Sequence, residues 1–207
     1  MPNIDHFVFF HPNLKDGIAY FEENFGLKAE IGGQHLGRGT WNAIFALESN
    51  AYFEIISPDP KQMAFNKARW MGIDHFAKPQ LIRWAVAVES LKETATKANS
   101  FGLQIGNIEE GNRQLSNGEM LQWQLTTPAM HEQVEPIPFF IEWAVAVHPS
   151  KDKEPQASIS KVVLHSPDAN NLKNRMSWLD LDIEFIKSDT PKIYLELEHQ
   201  TKIISIS

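Results

Sequence analysis

One order of elements recurs along the 207 residues, and this repeat constrains the fold more than any other feature. The apolar run NIDHFVFF (residues 3–10) is rich in β-forming residues and predicts a strand. A helix is then predicted from Asn13, because the following apolar residues recur at helical spacing, and Gly26 suits its C-terminal end. Three further strands are predicted up to residue 57. The first unit therefore has the order β-α-β-β-β.

The same order begins again at residue 81. The run LIRWAVAV (81–88) predicts a strand, and Ser90 with Glu93 forms a capping box at the start of a helix. Three more strands are predicted before a polar, proline-bounded segment, and a third, shorter β-α-β-β-β unit follows that segment. The connections between strands within a unit are too short for helical crossovers, so the pattern predicts an α+β fold.

This pattern predicts two full modules, two linkers and a smaller C-terminal unit. Their predicted ranges are 1–60 for the first module, 61–80 for a linker, 81–147 for the second module, 148–158 for a polar linker, and 159–207 for the C-terminal βαβββ-like unit.

Composition excludes several classes of function. The chain has no run of about 18–20 apolar residues that could span a bilayer and no basic, apolar signal sequence at its start. It has no cysteine, which excludes disulfides and thiolate ligands. The net charge is -7 and no basic cluster is present, so nucleic acid is not an expected partner. We expect a cytoplasmic protein without a membrane or nucleic-acid partner.

Five segments together resemble a known superfamily. They are IDHFVFF (4–10), GGQHLGRGTWNAIFAL (32–47), YFEIISPDP (52–60), WAVAV (84–88) and PFFIEW (138–143). They resemble the vicinal oxygen chelate superfamily, which includes glyoxalase I, fosfomycin-resistance proteins and extradiol dioxygenases, and within it the glyoxalase-like domain branch. The resemblance implies tandem βαβββ modules that pair into a curled mixed sheet around a cleft, with the smaller C-terminal unit packed on this core.

The resemblance also implies a metal site. In the superfamily, a divalent metal takes ligands from the first and last strands of each module. Carried over to this sequence, these positions are His6, Glu54 and Glu142, and the fourth falls on Trp84, which cannot bind a metal. The expected cofactor is therefore Zn, Mn, Ni or Fe, or none. With a metal, Glu54 and Glu142 would be catalytic residues in lyase, isomerase or dioxygenase-like chemistry.

Other interpretations of these residues remain open. His6 is also compatible with a hydrogen-bonded core histidine, and the two glutamates with ion pairs to Arg38, Arg83 or Arg113. Two carboxylates that face each other without a metal would raise one pKa and create a proton donor in the cleft. The alternative function is metal-free binding or sequestration of a small molecule, and a third is a protein scaffold.

The glycine-rich segment 32–43 indicates where a ligand would bind. Its glycines allow close backbone approach, and its polar residues can donate and accept hydrogen bonds at the rim of the cleft. The predicted ligand-binding residues are His35, Arg38, Thr40 and Asn42 from the first module and Trp84, Arg113 and Gln122 from the second. A solvated turn and a solvent-facing glutamine row are the simpler alternatives. We expect a small polar or amphipathic ligand and a monomer or homodimer.

Overall fold

The chain forms twelve strands and three α-helices within the residues described by a computed structural model, which are 2–62, 65–114, 120–144 and 148–207. The first unit consists of β1 (Asn3–Phe10), α1 (Leu14–Phe25), β2 (Glu30–His35), β3 (Thr40–Ala46) and β4 (Tyr52–Pro58). Two short 3₁₀ helices follow at Pro60–Gln62 and Trp70–His75. The second unit consists of β5 (Gln80–Ala87), α2 (Leu91–Ser100), β6 (Ile108–Gln114), β7 (Met120–Thr126) and β8 (Phe139–Trp143).

The two units share one curled sheet of eight strands in the order β2-β3-β4-β1-β5-β8-β7-β6. Their first strands, β1 and β5, pair in antiparallel fashion and join the units. Within each unit the first and last strands are parallel, and the others are antiparallel. This mixed sheet confirms the predicted α+β fold.

Helix α1 forms where the sequence predicts it and defines the two faces of the sheet. The Asn13 side chain accepts hydrogen bonds from two backbone N–H groups of the first turn, and Gly26 ends the helix at φ 74°. Phe21 packs against Phe9 and Phe53. Because side chains alternate along a strand, the neighbours His6 and Glu54 point to the opposite face. We call the face under the helices the outer face and the opposite one the inner face.

The C-terminal unit has the predicted element order but its own strand pairing. It consists of β9 (Ser158–Ser166), α3 (Ala169–Met176), a 3₁₀ turn (Ser177–Leu179), β10 (Glu184–Lys187), β11 (Lys192–His199) and β12 (Lys202–Ile206). These strands form a separate sheet in the order β10-β9-β11-β12. The first strand of this unit therefore lies between the second and third, whereas in the two modules it lies beside the last.

The C-terminal unit contacts the main sheet through Trp178. The Trp178 ring stacks on Phe140 of β8 at 5.8 Å between centroids, and the Lys97 ammonium of α2 lies over the same ring. Among the described residues, no helix is long and apolar enough to cross a membrane.

Candidate functional site

A cleft on the inner face is lined by both modules and has a cavity volume of about 30 Å³. The first module contributes its polar lining, which consists of His6, His35, Asn42, Tyr52 and Glu54 together with Ile44. The second module contributes an apolar and aromatic lining, which consists of Leu121, Trp123, Leu125, Phe139, Ile141 and Trp143. Trp70 and Pro149 complete the walls. The cleft is therefore polar on one side and apolar on the other.

Glu54 lies at the centre of the polar side and is 3% exposed. Its Oε1 accepts a hydrogen bond of 2.8 Å from the side-chain amide of Asn42. The Nε2 atom of His6 lies 3.6 Å from Glu54 Oε2, and the Nε2 atom of His35 lies 3.8 Å from Oε1. Both separations exceed a hydrogen bond, so the carboxylate faces two imidazoles across a narrow gap.

Asp5 orients the His6 ring through the nitrogen that does not face Glu54. The register of β1 against β5 shifts between Ile4 and His6, and the buried Asp5 side chain accepts a hydrogen bond of 2.5 Å from His6 Nδ1. Burial alone would raise the pKa of Asp5, but hydrogen bonds from His148 and His6 outweigh burial and hold this pKa well below its usual value. Because an ionised carboxylate only accepts, a proton of His6 is assigned to Nδ1, and Nε2 is the ring nitrogen that faces Glu54.

The Asp5 carboxylate also bonds to His148, which lies in the segment after β8, and so holds this segment beside the cleft. Asp5 Oδ2 accepts from Trp143 Nε1 at 2.7 Å and from His148 Nε2 at 3.1 Å. His148 also packs edge-on against Tyr52 and Trp143, both of which line the cleft. Asp5 therefore connects the two modules at the site, although it does not line the cleft itself.

His35 is held by Thr40, a residue that the sequence predicts as a ligand contact. His35 Nδ1 and the buried Thr40 Oγ1 are 2.9 Å apart, and the imidazole packs edge-on against Trp70 at 4.6 Å. Arg38 lies outside the cleft lining, with its guanidinium 4.7 Å from the centre of the Trp70 ring and 3.4 Å from Glu109. In the structure Thr40 orients His35, and the Arg38 guanidinium packs over the Trp70 ring.

Trp70 is positioned by a tight turn, and we expect Gly72→Ala to lower the free energy of unfolding by roughly 2–4 kcal/mol. Gly72 has φ 68°, and a Cβ there would lie 2.6 Å from the carbonyl oxygen of Met130. The matched control is Gly102→Ala, which has φ 69° and open space around it. Urea denaturation should show the larger loss for Gly72→Ala. Equal losses would contradict the steric argument.

Glu142 lies on the outer face, away from Glu54. Its Oε2 accepts a hydrogen bond of 2.8 Å from the backbone N–H of Leu91, the first residue of α2. It lines a separate outer groove that also includes Gln122, Gln124 and Glu110. The structure thus brings the predicted residues Glu142 and Gln122 together, but not with His6 and Glu54. The backbone of Arg113 pairs with Leu121, and its side chain lies outside the described part of the chain.

Trp84 is also directed away from the cleft. It is fully buried, stacks on Phe7 with 6.1 Å between ring centroids, and donates a hydrogen bond of 2.8 Å to the carbonyl of Pro136. The residue of β5 that pairs with His6 is Ala85. In the structure, therefore, Ala85 rather than Trp84 is the counterpart of His6.

The counterpart of Glu54 follows from the same register. His6 pairs with Tyr52, and Ala85 pairs with Phe139, so Tyr52 and Phe139 are equivalent. Two residues further along each strand stand Glu54 and Ile141, which both line the cleft. The second module thus presents isoleucine to the cleft where the first presents glutamate.

This geometry does not fit the metal site that the resemblance implies. Of the set His6, Glu54 and Glu142, only the first two face the cleft. Among the described residues, no group of three or more histidine, aspartate or glutamate side chains could hold a metal ion. The inward counterparts in the second module, Ala85 and Ile141, cannot ligate one either.

The sequence did not predict two residues of the site, Asp5 and His148. Asp5 stands next to His6, but strict alternation would place it on the opposite face, and only the register shift in β1 brings its carboxylate to the imidazole. His148 lies in a predicted polar linker, where a solvated histidine is the ordinary expectation. The adjacent aspartate and histidine in IDHF (residues 4–7) are the sequence feature that could have indicated the Asp5–His6 pair.

Comparison with known proteins identifies relatives of this arrangement. The sequence model of the family described as glyoxalase-like domain matches residues 4–179. No curated protein matches the chain. A solved structure of a hypothetical protein from Staphylococcus aureus has a TM-score of 0.66 at 20% identity, and the match covers 99% of this chain and 84% of that chain. At this identity the likeness shows the fold.

Two further solved structures have lower scores. A hypothetical protein from Bacillus halodurans C-125 has a TM-score of 0.49 at 16% identity, covering 70% of this chain and 97% of that chain. A Streptomyces coelicolor methylmalonyl-CoA epimerase variant in complex with 2-nitronate-propionyl-CoA has a TM-score of 0.46 at 15% identity, covering 69% of this chain and 97% of that chain.

Proposed function

The chain belongs to the glyoxalase-like domain family, as the resemblance to the vicinal oxygen chelate superfamily predicted, and on that premise we propose that it binds a small amphipathic molecule in the inter-module cleft. The binding uses the chain's own side chains and no resident metal. The observation that carries this proposal is the asymmetry of the cleft, which presents His6 and Glu54 on the side of the first module and Leu125, Phe139 and Ile141 on the side of the second.

This asymmetry matches an amphipathic ligand. The apolar body would pack against Leu121, Leu125 and Ile141, which are almost fully buried in the free protein. The polar group would lie beside Glu54, where hydrogen-bonding partners converge in a site that is otherwise largely apolar. Ligand sites typically combine such walls with a few precisely placed polar groups.

The indole N–H groups of the tryptophans provide the test of where the ligand binds. Trp70, Trp123 and Trp143 line the cleft, whereas Trp84 and Trp178 lie on the outer side of the sheet. We expect titration with benzyl alcohol to shift the indole resonances of the first three in ¹H–¹⁵N spectra and to leave the other two unchanged. Trp123 and Trp143 also border the outer groove, so shifts of these two without Trp70 would place the ligand there and contradict the proposal, as would shifts confined to Trp84 or Trp178.

Elemental analysis tests the metal-free part of the proposal. Untagged protein incubated with Zn, Mn, Ni or Fe(II) and then dialysed should retain far less than one ion per chain, because no three histidine, aspartate or glutamate side chains of the described residues are arranged to hold an ion. The Glu54→Gln variant should give the same result. About one ion per chain in the wild type, lost in the variant, would overturn the metal-free proposal and support the metal-assisted alternative.

Proton-transfer catalysis is a second candidate function, favoured by the chain of contacts from Asp5 through His6 to Glu54. Asp5 fixes the His6 proton at Nδ1, so Nε2 and the Glu54 carboxylate can accept or return a proton from a ligand atom between them. This arrangement suits an isomerase or lyase. Deuterium incorporation from D₂O into phenylacetone, lost in Glu54→Gln, would support this candidate, and equal incorporation in both proteins would contradict it.

A further inference from the structure

The charges around the cleft define the ligand's polar group more closely. We infer that this group is a protonated amine, held between Glu54 and His6 and surrounded by the aromatic walls. The inference rests on the proposed function, because it concerns the head group of the molecule bound in the same cleft.

No lysine or arginine among the described residues lines the cleft. The guanidinium of Arg38 lies beyond Trp70 and pairs with Glu109, and that of Arg83 donates to backbone carbonyls such as Ala129 and His131. A phosphate or carboxylate head group would therefore meet no fixed positive charge, and it would face the buried Glu54. The local charge disfavours an anionic head group.

The polar side of the cleft instead offers acceptors. Glu54 Oε2 faces His6 Nε2 at 3.6 Å, and the bond from His6 Nδ1 to Asp5 leaves Nε2 as the ring nitrogen directed at Glu54. The buried Glu54 carboxylate is the charged acceptor of the cleft. An ammonium group carries three donors and a positive charge, so it can bond to this carboxylate and neutralise its charge.

The walls around this position are also suited to a cation. Tyr52, Trp70, Trp123, Phe139 and Trp143 line the same cleft. The faces of aromatic rings attract cations, and this attraction is stronger where water is excluded. A buried carboxylate combined with several aromatic rings thus favours an organic cation with an apolar body over a neutral or anionic molecule of the same size.

Three ligands with nearly the same body test the inference at neutral pH: benzylamine as the cation, benzyl alcohol as the neutral molecule and benzoate as the anion. We expect calorimetry to show benzylamine binding at least about tenfold more tightly than benzyl alcohol. Benzoate should bind more weakly than both. Glu54→Gln should reduce benzylamine affinity by about tenfold or more while changing benzyl alcohol affinity by less than about twofold. The matched control Glu110→Gln, a carboxylate on the outer groove, should change neither.

The outcomes separate the inference from the proposed function. Benzyl alcohol or benzoate binding as tightly as benzylamine would overturn the cationic head group and leave binding in the cleft intact. Failure of all three to bind would overturn both. The ligand comparison uses the wild-type protein, so the inference stays testable even if Glu54→Gln does not fold.

Discussion

Replacing Asp5 by alanine will lower the free energy of unfolding by about 3–5 kcal/mol, because three buried or half-buried donors lose one ionised acceptor. These donors are His6 Nδ1, Trp143 Nε1 and His148 Nε2. The Asp5 carboxylate is fully buried, so water cannot replace it without opening the packing around it. Urea denaturation at neutral pH measures the loss.

The matched control for Asp5→Ala is Glu184→Ala, which removes an exposed carboxylate paired with Lys161. Such surface pairs contribute about 0–1 kcal/mol, so this variant should remain close to the wild type. Equal, small losses for both variants would mean that the Asp5 network does not stabilise the fold.

Asp5 should also make the free energy of unfolding depend on pH in the acidic range. Its hydrogen-bonding partners hold its folded-state pKa below the unfolded value of about 3.9. The stabilisation is therefore complete above about pH 4 and is lost as the pH falls from there towards the folded-state pKa. The difference in stability between the wild type and Asp5→Asn should shrink over this acidic range. A difference that stays constant down to pH ~3 would contradict the assignment.

The sequence predicted the fold well because its signals are local. The cap at Asn13 and the end at Gly26 depend on residues within one turn of the helix. The repeated β-α-β-β-β order likewise follows from short runs of residues, and two such units formed the shared curled sheet. The strand order of the C-terminal unit depends on long-range pairing, and no short run of its sequence indicates that β9 lies inside its sheet.

The site was harder to predict because one residue of register decides which face a side chain occupies. Aligning FEII with IEWA matched Glu54 with Glu142, whereas strand pairing makes Ile141 the counterpart. His6, Glu54, His35 and Asn42 were predicted for different roles, as metal ligands or ligand contacts, and the structure places all four at one cleft. Their convergence depends on how β1, β2, β3 and β4 align, which a linear pattern does not encode.

Arg83 carries the second large expected effect: Arg83→Leu will lower the free energy of unfolding by about 3–5 kcal/mol. Its guanidinium is buried and donates to the carbonyl oxygens of Ile82, Ala129, His131 and Gln133 at 2.8–3.0 Å. Burial lowers the pKa of Arg83 to about 10, so the side chain remains charged at neutral pH. Leucine fills part of the volume but removes the donor of the Ala129, His131 and Gln133 carbonyls, whereas the Ile82 carbonyl still accepts from the backbone N–H of Glu135.

The matched control for Arg83→Leu is Lys161→Leu, an exposed cation in a surface pair, which should change stability by less than about 1 kcal/mol. The Arg83 effect should also reach the cleft, because the segment that its guanidinium holds leads through Pro136 to Phe139, a lining residue. Benzyl alcohol affinity should therefore fall in Arg83→Leu and not in Lys161→Leu. Retained affinity with lowered stability would show that this segment supports the fold without shaping the cleft.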